Sequence, residues 1–133
     1  MKTKLKIAAI LLIAIFIGSC GKNLDNFKEI QSQKTGEYKV SVLSESNSFK
    51  QGSGTFIVEF RKASANELVK VDNISSEAVM QMEGMPMTGE TTFSSLDTPG
   101  RYEVKYKFGM KGNWKFIVTF GNGMQVQFLL SVI

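Results

Sequence analysis

The chain has no histidine, one cysteine, two prolines and no apolar run long enough to cross a bilayer. Each absence removes a class of function. Without histidine neither a Ser-His nor a Cys-His nucleophile can be assembled. A zinc site of the usual Cys/His type is excluded on the same ground. A lone cysteine forms no internal disulfide. The carboxylates are scattered among lysines on solvent faces, so the expectation is a binding protein and not an enzyme. No basic stripe is interleaved with aromatics, which argues against a nucleic-acid partner.

What is present begins with an export signal. Lys2, Lys4 and Lys6 form a basic start, and residues 7–17 are an apolar run of eleven residues. A spanning helix needs about 20, so this length suits a signal peptide. The run ends in Ile17-Gly18-Ser19-Cys20, which resembles the bacterial lipobox. That resemblance implies cleavage before Cys20 and a lipid anchor on its sulfur. The expected divisions are a signal peptide over 1–19, a lipidated cysteine and tether over 20–35, and one folded domain over 36–133. Gly21 follows the cysteine where aspartate often retains lipoproteins at the inner membrane, so a periplasm-facing outer-membrane location is expected. Three of the sixteen basic side chains leave with the signal, so thirteen face twelve acidic ones in the mature part and its net charge is +1.

From Gly36 onward the apolar period is two. Tyr38, Val40 and Val42 alternate with polar residues, and 55–60 is a dense run of β-formers. Shorter strands are read at 68–71, 74–82 and 91–96. Asp97-Thr98-Pro99-Gly100 carries proline and glycine at the central positions of a type II turn. The clearest alternation follows, with Tyr102, Val104, Tyr106 and Phe108 on one face. Residues 114–120 and 124–132 are the last two strands, joined by Gly121-Asn122-Gly123, a hairpin signal. About seven strands with glycine-marked turns predict an all-β, immunoglobulin-like antiparallel sandwich. Phe56, Val58, Phe60, Tyr102, Val104, Tyr106, Trp114, Phe116, Val118, Val126 and Phe128 are its expected core.

One stretch carries a candidate chemistry. Of seven methionines, Met80, Met82, Met85 and Met87 fall within eight residues. Thioethers are soft and never protonated, so they suit Cu(I) or Ag(I) and suit hard cations poorly. In extended backbone Met80 and Met82 share one face, as do Met85 and Met87. Gly84 lets the chain turn between the pairs, and Pro86 holds Met85 extended. Met110 and Met124 lie at turns that either neighbour this hook or plug an end of the sandwich. Trp114 offers an indole face that can cover a soft cation, or else a buried core side chain. The hook itself reads equally as adaptable apolar packing or a partner contact.

The order of strands and punctuation is similar to the YtkA-like family, related to the FixH group of small exported domains. The similarity runs through Gly36-Glu37-Tyr38-Lys39-Val40, Gly54-Thr55-Phe56-Ile57-Val58-Glu59-Phe60, the Met82-Glu83-Gly84-Met85-Pro86-Met87 hook and Pro99-Gly100-Arg101-Tyr102. It continues with Phe108-Gly109-Met110-Lys111-Gly112-Asn113-Trp114-Lys115-Phe116-Ile117-Val118 and covers about residues 36–132. The resemblance implies a sandwich facing the periplasm or cell exterior, near copper handling, heavy-metal efflux or assembly of copper oxidases. Met82, Met85 and Met87 match the family's loop, and Met110 and Trp114 match its Met-x-Gly-x-Trp stretch. Met80 is added from spacing. Family members with a clear metal motif often carry a histidine in that loop, and here only thioethers remain. The expected partners are therefore a membrane, through the lipid, and an efflux or oxidase-assembly protein. The alternative is a metal-free interaction module.

Overall fold

The computed structural model of the chain describes residues 24–81 and 84–133. Nine strands and no helix are found among them: β1 (Lys28–Thr35), β2 (Tyr38–Ser44), β3 (Gly52–Lys62), β4 (Glu67–Leu68), β5 (Ser75–Met80), β6 (Met87–Ser95), β7 (Arg101–Phe108), β8 (Gly112–Phe120) and β9 (Met124–Val132). Their order is β1-β2-β3-β7-β6-β5-β8-β9, with β4 set against β3, and every ladder is antiparallel. β6 serves two layers. Its first three residues pair with β5, and Glu90–Ser95 pair with β7. The sheet thereby folds over itself into an almost closed antiparallel sandwich.

The core lies between the layers and is built from the alternation read in the sequence. All eleven expected core side chains are buried, joined by Val40, Val42, Phe108, Phe120, Leu130 and Val132. Rings from the two layers meet edge to face: Phe56 on Phe116 at 5.2 Å, Phe60 on Phe120 at 4.9 Å. Such pairs add to the burial of apolar area, the main stabilising term. Pro99 and Gly100 form the expected turn. Arg101 N–H donates to Thr98 at 3.2 Å, and Gly100 sits at φ +88° with the Val69 backbone packed against it.

Two features differ from the reading of the sequence. The tether was expected to reach residue 35, but Lys28–Thr35 form an edge strand along β2. All its side chains but Ile30 are polar, none is fully buried, and a register shift at Ile30 breaks the period of two. A strand of that kind has no apolar signature. The second difference is in β3, where Ile57 and Glu59 are buried on the outer face as well. Glu59 is clamped there by Arg101 Nε at 2.6 Å and Arg61 Nη2 at 3.1 Å.

The register fixes the two ends of the sandwich. Loops 45–51 and 109–111, residues 81 and 84–86, and Ile133 gather at one end. Loops 36–37, 63–74, 96–100 and 121–123 gather at the other.

The methionine end as candidate functional site

β5 turns Ala78 and Met80 into the core, and its hairpin with β6 sets Met80 directly opposite Met87. Side chains so placed stand about 4.5–5.5 Å apart at Cβ. Cross-strand register, not the spacing of two, therefore decides which thioethers are neighbours: Met80 sits beside Met87. Met80 is buried, and its methyl occupies the space that a side chain at Gly112 would need. Gly112 sits at φ +134°, which glycine tolerates readily. Met87 is half-buried against the core. Met85, on the loop between them, is 73% exposed. Met82 lies outside the described residues, as do Cys20 and the signal.

The adjoining turn brings a further thioether. Met110, 36% exposed, precedes Gly112 by two residues. Its carbonyl accepts the Trp114 Nε1–H at 2.9 Å, which ties the turn to the core. Trp114 itself is fully buried, with one ring face stacked on Phe108 at 4.9 Å. Gly89 makes room for that stack, since a Cβ there would stand 2.8 Å from Phe108 Cδ1 and 3.1 Å from Trp114 Cζ3. Met124 is at the opposite end, its thioether against Gly36 and Gly121. Met80, Met87 and Met110 are thus brought to one end on three segments, with Met85 above them.

The third loop is fastened to the same place. Gln51 Nε2 donates to the Gly109 carbonyl at 2.9 Å, and the Tyr106 hydroxyl donates to the Lys50 carbonyl at 3.2 Å. Burial pushes the Tyr106 hydroxyl above its ordinary pKa of 10.0, and the bond to Lys50 partly offsets this. Among the described residues no group of three or more His, Cys, Asp or Glu stands together. A surface cleft of about 410 Å³ lies elsewhere, between Ser53, Thr55, Glu90, Thr92, Lys105 and Lys107.

The YtkA-like family profile matches residues 32–119, from within β1 to the end of β8. The chain belongs to the YtkA-like family. Membership marks it as an exported β-sandwich of the cell envelope. No curated protein matches it in sequence. Among solved structures, the crystal structure of the Lin-41 filamin domain is similar at 14% identity and TM-score 0.55, covering 71% of this chain and 91% of that one. The likeness shows the fold alone, a filamin-like immunoglobulin sandwich. The crystal structure of S-layer protein SbsC domains 4 and 5 is similar at 12% identity and TM-score 0.44, covering 72% of this chain and 57% of that one.

Proposed function

We propose that this YtkA-like protein is a lipid-anchored envelope protein, held through Cys20, that takes Cu(I) or Ag(I) on thioethers and passes it to an efflux or oxidase-assembly partner. The observation that carries the reading is the pairing of Met80 with Met87 beneath exposed Met85, with the Met110 turn alongside. Met85, Met87 and Met110 offer sulfur at or near the surface, and Met80 forms the packed floor. Neutral thioethers hold such an ion without proton release, so binding resists mild acid in a way a histidine site does not. The copper-related setting implied by the family supports the same assignment.

Anaerobic competition titration of the domain from Gly21 onward with Cu(I) is the test. One equivalent should be taken up by folded protein. Leucine at 82, 85 and 87 keeps apolarity and similar volume but removes sulfur. Uptake should then be lost without loss of folding. A domain that ignores Cu(I), or a triple variant that binds as before, sinks the reading. The exposure of Met85 and Met110 also favours the second reading, a metal-free apolar contact with an envelope partner. Under that reading leucine substitutes freely.

A further inference from the structure

The geometry points to the methionine end as a membrane-facing surface: Lys50, Lys107 and Lys111, around exposed Met85, Met110 and Ile133, rest on the anionic headgroups of the bilayer that holds the anchor. The inference depends on the proposed lipid attachment at Cys20 and adds to it an orientation and a contact. Three observations carry it.

The first is where the chain enters. β1 runs away from the methionine end, since Lys28 pairs with Ser44 just before loop 45–51, and Thr35 pairs with Tyr38 at the far end. Phe27 N–H bonds back to the Leu24 carbonyl at 3.0 Å, so Leu24 stays close to the start of β1. Four residue steps separate Cys20 from Leu24, a reach of about 14 Å at most. The Thr35 end of β1 lies roughly 23 Å beyond Lys28, at about 3.3 Å per residue. A tether of that reach keeps the start of β1 close to the bilayer. It holds the methionine end there.

The second is charge. Among the described residues, the methionine end carries exposed Lys50, Lys107 and Lys111, with Glu45 and Asp25 at the same end and Glu90 opposite Lys107 in the ladder. The far end carries Glu37, Glu67, Asp72 and Asp97 beside Lys70 and the strand-end Lys62 and Arg101, with Lys62 paired to Glu37 at 3.2 Å. An anionic surface attracts the exposed lysines of the methionine end, within about 10 Å in ordinary salt. The third is apolar exposure. Of the four large apolar side chains exposed among the described residues, Met85, Met110 and Ile133 are at this end, and Leu129 lies along β9. Apolar tips ringed by lysine suit the headgroup boundary.

The test places a fluorophore on the acylated mature protein through Asn47→Cys, in a methionine-end loop, or Asn122→Cys, in a far-end loop. The Cys20 sulfur is occupied by lipid and does not react. Vesicles of phosphatidylcholine with about 30% phosphatidylglycerol and a nitroxide-headgroup lipid serve as the quenching surface. Quenching at position 47 should exceed that at 122 by about threefold or more, and Lys50→Glu with Lys111→Glu should erase most of the difference, as should high salt. Equal quenching at the two positions, or more at 122, overturns the orientation. A difference that survives charge reversal overturns the headgroup contact. Protein that does not float with vesicles at all refutes the Cys20 anchor, and the orientation with it.

Discussion

The side-chain amide of Gln31 grips both backbone groups of Leu129: Nε2 donates to the carbonyl at 2.5 Å, and Oε1 accepts from the N–H at 3.3 Å. An amide side chain takes the place of a neighbouring strand and spans the seam between β1 and β9, which share no ladder. Residues 49–51 cover the end of the same edge, bonding to Ser131 and Ile133. Gln31→Leu should cost about 1–2 kcal/mol, two net hydrogen bonds at a partly exposed site. It should also free an edge that invites association between copies. Urea denaturation and light scattering read the two effects. Unchanged stability together with unchanged scattering would show that the seam holds without Gln31.

Trp114 is the sole tryptophan, so its emission reports on the stack with Phe108. Gly89→Ala puts a methyl into that stack, and overpacking of this kind costs about 1–3 kcal/mol. The indole should move toward solvent and its emission shift to the red. Emission and stability both like the parent's would mean that the stack yields at no cost.

Phe116 and Phe128 are buried and pack on one another at 6.2 Å between ring centroids. Truncation of either to Ala should cost about 3–5 kcal/mol. The pair are neighbours, so the double variant should lose less than the sum of the singles. A loss below about 1 kcal/mol at either position contradicts the packing described.

Alkaline stability should be set in part by two tyrosines. Burial raises the pKa of Tyr102 and Tyr106 above 10.0, with the bonds to the Val71 and Lys50 carbonyls lowering each in part. The unfolded chain gives up these protons near pH 10 while the folded chain still holds them. Their contribution is therefore full below that pH and is lost as pH rises through the folded values. Denaturant midpoints should fall above pH 10, and the double Tyr→Phe variant should fall less steeply. Identical slopes would assign the loss to other groups.

Much of this arrangement was legible in the residues, for a physical reason. A strand with one apolar face announces itself by its period, which is why β7, β8, β9 and the core side chains they carry were readable. Pro99-Gly100 announced its turn because few other pairs fit those dihedrals. β1 was illegible because an edge strand with polar side chains and a bulge at Ile30 has no period to detect. The partner of Met80 was hidden for a different reason. Spacing places residues on one strand, but only hairpin register places Met87 opposite Met80, and register is decided by the ladder. Burial of Glu59 required Arg61 and Arg101 to converge from β3 and β7, which no local pattern encodes.

The direction of β1 also decides how the domain bears mechanical load. A pull delivered through the residues before Lys28 acts along the strand axis, while the bonds joining β1 to β2 lie across it. All the rungs from Lys28–Ser44 to Thr35–Tyr38 are then strained together in shear, instead of opening one after another as in a zipper. A protein tugged from the Lys28 end would yield late and abruptly. The same protein pulled from the Thr35 side, across the ladder, would unpeel at low force.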